Sequence, residues 1–123
     1  MDADRAQYAE ISVLPSLDGA GAARVRELAQ VAADADGVRP LGDHVMLALR
    51  YGGSGSARHL LAVRNGRWVG YGHLDLSDRM QGASAEVVVH PEHRRRGVGR
   101  ALVEAMLAEA RPPALRLWAH GHR

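Results

Sequence analysis

The chain has 123 residues and no cysteine, which predicts one domain and excludes disulfides, thiolate metal ligands and a cysteine nucleophile. All 16 basic residues are arginine, but the formal net charge is only +2, so the composition does not favour a nucleic-acid partner. No run of 18 apolar residues and no basic-then-apolar leader is present, so we expect a cytoplasmic protein without a membrane partner.

The start of the chain predicts a strand followed by a helix. Residues 1–7 are polar and charged, and we expect them to be disordered. The segment YAEISVL at 8–14 alternates well enough to indicate a short strand. From Ala22 to Ala33 apolar residues recur at steps of three and four, which is typical of a helix with one buried face. Gly37 tolerates a left-handed conformation and is expected to end this helix.

A second helix and a hairpin follow. The helix is expected to start around Gly42 or Asp43. Its inward positions are apolar: Val45, Met46 and Leu49. Two strand-like runs, HLLAVR at 59–64 and RWVGYGHLDL at 67–76, are separated by Asn65-Gly66, in which both residues tolerate positive φ. This arrangement predicts a β-hairpin with a two-residue turn.

The last part predicts a central strand, a helix and a final strand. The β-branched run AEVVVH at 85–90 is typical of a strand buried on both faces. The helix that follows has an apolar stripe formed by Leu102, Val103, Met106 and Leu107. Its outward carboxylates are Glu104 and Glu109, and the helix is expected to stop at Pro112-Pro113. The segment ALRLWAH at 114–120 predicts a last strand, in which Trp118 is expected to join the core.

The order of elements predicts the fold class. A strand, two helices, a hairpin, a strand, a helix and a strand correspond to an antiparallel meander followed by a βαβ crossover. We therefore expect an α+β fold with a mixed, mostly antiparallel sheet flanked by helices, in a single domain over residues 1–123.

The junction HRRRGVGR at 93–100 joins the central strand to the helix. A strand that runs through glycines into a helix leaves backbone N–H groups unpaired where the helix dipole favours negative charge. Gly97 and Gly99 let a ligand approach the backbone. Four arginines add charge-assisted donors: Arg94, Arg95, Arg96 and Arg100. This chemistry suits a pyrophosphate, whereas a plain tight turn would explain the glycines but not the gathering of arginines.

Two common nucleotide motifs do not fit this junction. The dinucleotide fingerprint G-x-G-x-x-G needs a third glycine, and Leu102 occupies that position. A Walker motif needs a lysine, and the chain contains none. The spacing R-x-x-G-x-G, formed by Arg94, Gly97 and Gly99 after a strand with Glu86, resembles instead the acyl-CoA site of the GCN5-related N-acetyltransferases (GNATs).

The resemblance implies acetyl-CoA as cosubstrate and no metal. In this family the strand before the junction pairs through its backbone with the pantetheine arm, and the loop holds the pyrophosphate. The acyl-CoA contacts implied are Val87, Val88, Val89, Arg94, Arg95, Arg96, Gly97, Val98, Gly99 and Arg100. The three valines also fit an ordinary core strand, and both roles are compatible.

Three segments narrow the resemblance. DGVRPLGD at 36–43, EVVVHPEHRRRGVG at 86–99 and LWAHG at 117–121 are similar to the N-terminal half of the mycothiol synthase family, whose members contain two fused acetyltransferase domains. This implies N-acetylation of a primary amine, with a cysteinyl-glucosaminyl-inositol acceptor. The chain stops after the fifth strand, so we expect a domain truncated at its C-terminus, with a second GNAT domain or a homodimer partner.

Few residues qualify for the chemistry of acetyl transfer. A neutral amine requires a general base, and Glu86 on the central strand is the best candidate; its alternative role is a strand-end carboxylate paired with an arginine. Asp43 matches an acidic position that contacts the substrate in mycothiol synthases, and its alternative role is to cap the following helix. His73 is a weaker base candidate, and His120 with His122 lacks a third metal ligand.

A second class of function remains open. The chain could be a non-catalytic acyl-CoA-binding or scaffold half, because in the mycothiol synthase family the second domain is regarded as the catalytic one. Nucleic-acid binding through HRRR at 93–96 is a third interpretation, which the scarcity of aromatic residues disfavours.

Overall fold

The computed structural model describes residues 9–52, 55–77, 82–110 and, for the last strand, the backbone of 115–118. The elements are β1 Glu10–Leu14, α1 Gly19–Asp36, α2 Asp43–Tyr51, β2 Ala57–Arg64, β3 Arg67–Asp75, β4 Ala83–Val89, a 3-10 turn Pro91–His93, α3 Val98–Ala110 and β5 Leu115–Trp118. The expectations for residues 1–7, the Trp118 side chain, His120 and His122 lie outside the described residues.

The five strands form one sheet in sequence order. Each neighbouring pair from β1 to β4 is antiparallel, and β4 pairs with β5 in parallel after the crossover through α3. The predicted α+β fold with a mixed, mostly antiparallel sheet is confirmed. No helix within the described ranges has the length and apolar character needed to cross a membrane.

The hairpin between β2 and β3 turns at the predicted pair. Asn65 and Gly66 have φ values of 52° and 78°, which is the left-handed geometry of a type I′ turn. A β-bulge between Ala62 and Val63 then shifts the register by one residue. Because of this shift His59 lies opposite His73, whereas an unbroken hairpin would place it opposite Gly72.

Helix α1 is longer than the predicted segment 22–33. The Asp18 side chain caps it by accepting a 2.6 Å hydrogen bond from the backbone N–H of Gly21. At the other end Gly37 has a φ of 77° and donates its N–H to the carbonyl of Ala33. The predicted end at Gly37 is confirmed, and the cap at Asp18 explains the earlier start.

The two faces of the sheet hold separate cores. The face under α1 and α2 includes Val25, Leu28, Ala32, Leu41, Val45, Leu49, Leu61, Tyr71 and Val88. The face under α3 includes Leu60, Ala62, Val69, Leu74, Ala83, Ala85, Val98, Leu102 and Met106. The predicted inward positions of α2 are confirmed, with Met46 partly buried.

The buried stripe of α3 differs from the predicted one. Leu102 and Met106 are fully buried as expected, but Leu107 is 53% exposed, so its assignment to the stripe was wrong. The third buried position is Val98. Helix α3 approaches two glycines of β3 closely, since a Cβ on Gly70 would lie 2.9 Å from Val98 Cγ1. The buried residues of α3, Val98, Leu102 and Met106, are four positions apart, and Leu107 therefore faces away from the sheet.

Candidate functional site

The junction between β4 and α3 presents free amide groups. Helix α3 starts at Val98, and its first helical hydrogen bond runs from the Ala101 N–H to the Gly97 carbonyl at 3.0 Å. The N–H groups of the preceding residues in the first turn therefore have no carbonyl partner within the helix. They lie at the positive end of the helix dipole, which favours an anion.

The loop before α3 has an unusual backbone. Arg95 has a φ of 62° and Gly97 a φ of 80°, so the chain is left-handed at both positions. Such alternation turns successive N–H groups into a concave anion-binding arrangement. A Cβ on Gly97 would find open space, so glycine is needed there for its φ. A Cβ on Gly99 would only touch Val89 Cγ2 at 3.6 Å, so glycine there leaves room on the outer side.

The arginines of the junction fall into two groups. Arg95, Arg96 and Arg100 are exposed, and Arg100 Nε donates to Glu104 Oε1 at 3.1 Å within the same helix. Arg94 instead forms a double hydrogen bond to Asp36 at the end of α1, with both N···O distances 2.7 Å. Its Nε also donates to the Val89 carbonyl at 3.3 Å. The hydrogen bond to Asp36 raises the pKa of Arg94 above its usual value.

Strand β4 carries the valines predicted to contact acyl-CoA. Val88 is 2% exposed in the core under α1 and α2, and Val87 and Val89 pack toward α3. The pairing of β4 with β5 extends from Ala83 to Glu86 within the described residues. The Val88 side chain therefore belongs to the core, whereas the side chains of Val87 and Val89 are only partly buried.

Glu86 and Asp43 both lie at the N-terminus of α2. Glu86 Oε1 accepts a 2.6 Å hydrogen bond from the Gly42 N–H, across 44 residues of sequence. The helix cap is Gly42, with no side-chain cap bond, so the interpretation of Asp43 as the cap was wrong. Asp43 is in the first turn, 78% exposed, and pairs with Arg39 at 3.1 Å. The predicted base and the predicted substrate contact thus lie at one helix end.

A buried polar cluster beside Glu86 was not predicted. His59, Tyr71 and His73 are at most 8% exposed, and His59 Nδ1 lies 2.7 Å from Tyr71 Oη. The rings of His59 and His73 meet edge to face at 5.5 Å between centroids. Only the bulge brings the two histidines opposite each other, so regular hairpin spacing could not reveal the pair.

Burial controls the ionisation of this cluster. It raises the pKa of Tyr71, with a further contribution from the Glu86 charge. It lowers the pKa of His73 to about 4, with a further contribution from His59, and it lowers the pKa of His59 as well. Both imidazoles are therefore neutral at pH 7. His73 Nε2 has no hydrogen-bond partner among the described residues, and its burial makes it unsuited to meet a substrate directly.

The sequence and the fold both match known acetyltransferases. The model of the acetyltransferase (GNAT) domain family matches residues 55–122, more than half of the chain. The chain belongs to the GNAT family. As a GNAT domain it is similar in fold to a ribosomal-protein-alanine N-acetyltransferase from Brucella melitensis, with a TM-score of 0.62 and 20% identity over 89% of this chain and 78% of the other. A tandem GNAT protein from the clavulanic acid biosynthesis pathway also gives 0.62, with 25% identity over 82% of this chain and 33% of the other.

Curated relatives of this GNAT domain are named mycothiol acetyltransferase. The protein from Streptosporangium roseum is 47% identical over 85% of this chain and 31% of its own length. The protein from Salinispora arenicola is 41% identical over 98% of this chain and 39% of its own length. The predicted resemblance is confirmed as a partial match, since the chain spans between about 31% and 39% of these relatives.

Proposed function

We propose that this GNAT domain binds acetyl-CoA at Arg95–Arg100 and takes part in acetyl transfer to a primary amine. The observation that carries the proposal is the loop before α3, where Arg95 and Gly97 have positive φ at the N-terminus of a helix. Backbone amides in that geometry favour a pyrophosphate. The family membership and the names of the curated relatives support the same assignment.

Each part of the junction has a separate role in binding. The amides of Gly97, Val98, Gly99 and Arg100 would hold the pyrophosphate, and the exposed arginine side chains would add positive charge around it. The backbone of Val87–Val89 would pair with the pantetheine arm. Acetyl-CoA supplies the thioester, whose C–S bond breaks as the amine nitrogen forms a C–N bond to the acetyl carbon and loses a proton.

Glu86 is our candidate for the group that takes this proton. Its carboxylate is half-buried on β4, and the hydrogen bond from Gly42 N–H fixes Oε1 at the N-terminus of α2. We propose that this carboxylate accepts the proton from the amine. Asp43, one residue beyond Gly42, is exposed and negatively charged, which suits a sugar hydroxyl or an amine of the acceptor.

The names of the relatives support a proposal for the acceptor. Proteins named mycothiol acetyltransferase cover nearly all of this chain at 41–47% identity. We therefore propose a cysteinyl-glucosaminyl-inositol acceptor and a cytoplasmic location. The alternative function is a non-catalytic acyl-CoA-binding half that needs a second GNAT domain or a homodimer partner. The partial coverage of the relatives and the engagement of Glu86 by Gly42 favour this alternative.

Differential scanning calorimetry with and without acetyl-CoA tests the proposal. A ligand that binds only the folded state stabilises it, by about 2.7 kcal/mol at a concentration 100 times Kd. Gly99→Asp should abolish binding, because it adds bulk and negative charge beside the amides. Gly55→Asp is the matched control, since a Cβ there meets open space away from the junction. Equal affinity of both variants would contradict the site.

Chromatographic measurement of the CoA formed from acetyl-CoA separates the two functions. With a cysteinyl-glucosaminyl-inositol acceptor, the enzyme hypothesis expects CoA formation that Glu86→Gln slows by about a hundredfold. Binding of acetyl-CoA without CoA formation would favour the scaffold half, and absence of both binding and CoA formation would contradict both functions.

A further inference from the structure

Arg94 and Asp36 join two elements that are far apart in sequence. Both guanidinium Nη atoms donate to the two carboxylate oxygens of Asp36, at 2.7 Å each, across 58 residues. Such a two-point contact fixes the plane of the guanidinium as well as its position. The pair is partly shielded, with side-chain exposures of 39% for Arg94 and 23% for Asp36. The end of α1 is thereby attached to the loop before α3.

Asp36 is badly placed for the stability of its own helix. It is the last residue of α1, where the negative end of the helix dipole disfavours a carboxylate. Asp34 lies in the same turn, and that turn contains no basic residue. The unfavourable charge at the helix end is offset by Arg94, a residue of another element. The position of Asp36 is therefore explained by the contact to the loop.

The same contact acts on a strained part of the backbone. Arg94 directly precedes Arg95, a non-glycine residue with a φ of 62°. Residues in this region persist only where their surroundings hold them. The Arg94 guanidinium is held on two sides, because its Nε donates to the Val89 carbonyl and its Nη atoms bind Asp36. The geometry of the amides that follow depends on this anchor.

We propose that Asp36 is a positioning residue that holds Arg94 against α1 and so fixes the loop whose amides receive the pyrophosphate. The inference rests on the proposed acetyl-CoA site and assigns Arg94 to the support of that site. The charge around the ligand then comes from Arg95, Arg96 and Arg100, whose side chains are exposed.

The test compares Asp36→Ala with Asp34→Ala. Asp34 is two residues away on the same helix end. Its side chain accepts a 2.8 Å hydrogen bond from Gln30 of the same helix. Both variants remove one negative charge from the last turns of α1. The backbone order parameters of residues 95–100 are measured by NMR relaxation without ligand, and the Kd for CoA and for pantetheine is measured by NMR titration.

We expect Asp36→Ala to lower the backbone order parameters of the loop and to weaken CoA binding by roughly five- to tenfold, with Asp34→Ala unchanged. Pantetheine lacks the pyrophosphate, so its affinity should not change. Arg94→Gln should show the same loss, and the double variant should lose no more than either single variant. This pattern distinguishes positioning from a general loss of folding.

Two results would overturn the inference. If Arg94 binds the pyrophosphate directly, Asp36→Ala frees it, and CoA binding stays the same or tightens while Arg94→Gln still weakens it. If the order parameters of residues 95–100 are unchanged by Asp36→Ala, the contact does not position the loop. Failure of the unmodified protein to bind CoA would contradict the proposed function instead, and the order parameters would still decide the role of Asp36.

Discussion

The face of the sheet under α3 is apolar and closely packed, whereas the face under α1 and α2 carries ionisable side chains. Under α3, Leu102 and Met106 are fully buried against β3, where glycines replace larger residues. Under α2, His59 and His73 lie beside Tyr71 and Glu86. The first face holds the helix whose N-terminus forms the proposed anion site. The second face holds the proposed base.

The two faces of the sheet meet two different requirements of the proposed site, anion binding and proton transfer. An anion-binding helix terminus must be rigid, and close packing of apolar side chains under α3 provides this. A proton acceptor must have a controlled environment, and the charge of Glu86 acts on the buried cluster, where it contributes to raising the pKa of Tyr71. Substitutions that act on one face and spare the other test the separation.

The largest effect is expected on the α3 face. Leu102→Ala should lower the free energy of unfolding by about 3–4 kcal/mol, because it leaves a cavity in a closely packed core. Leu107→Ala is the matched control on the same helix, where the side chain is 53% exposed, and it should cost less than about 1 kcal/mol. Urea denaturation followed by circular dichroism measures both. Similar losses for the two variants would mean that the buried stripe of α3 is misplaced.

The next effect concerns pH on the α2 face. Burial lowers the pKa of His73 to about 4, below its unfolded value near 6.5, so the unfolded state binds the proton first as pH falls. Stability should be complete above about pH 6.5 and decline toward pH 4, by roughly 3 kcal/mol.

Urea denaturation between pH 7.5 and 4.5 measures this decline. His73→Gln should reduce the decline to the part that comes from the lowered pKa of His59, while His44→Gln should largely retain it, because the His44 side chain is 79% exposed. A stability profile of His73→Gln that falls as steeply as that of the unmodified protein would show that His73 is not the group responsible.

A smaller effect is expected at the hydroxyl of Tyr71. Tyr71→Phe removes the partner of His59 Nδ1, at 2.7 Å, and leaves a buried imidazole nitrogen unsatisfied. This should lower the free energy of unfolding by about 1–2 kcal/mol. Tyr51→Phe is the control with the same chemical change on a side chain that is 76% exposed, and thermal denaturation should show no difference there. An unchanged melting temperature for Tyr71→Phe would exclude a structural role for this hydrogen bond.

The contrast between the faces also explains what the sequence could reveal. Asn65-Gly66 and the periodic apolar residues of α1 and α2 act locally, so they predicted the hairpin and the helix order. The R-x-x-G-x-G spacing predicted the junction for the same reason. The bond between Glu86 and Gly42 spans 44 residues and depends on how α2 is placed.

The opposition of His59 and His73 depends on a bulge that regular alternation does not signal. The exposure of Leu107 likewise follows from the narrow contact of α3 with the glycines of β3. Such features result from packing between distant segments, which local sequence patterns do not report.

The smallest change in stability is expected at the junction, where two glycines should behave differently. Gly97→Ala forces a side chain into a φ of 80° and should cost about 1 kcal/mol of folding free energy, whereas Gly99→Ala only brings a Cβ to 3.6 Å from Val89 and should cost less. Both should weaken acetyl-CoA binding, Gly97→Ala by distorting the amides and Gly99→Ala by occupying the approach to them. Thermal denaturation with and without acetyl-CoA separates the two effects. If Gly99→Ala binds acetyl-CoA as tightly as the unmodified protein, the ligand does not approach the backbone at Gly99, and the anion site must be confined to the amides before it.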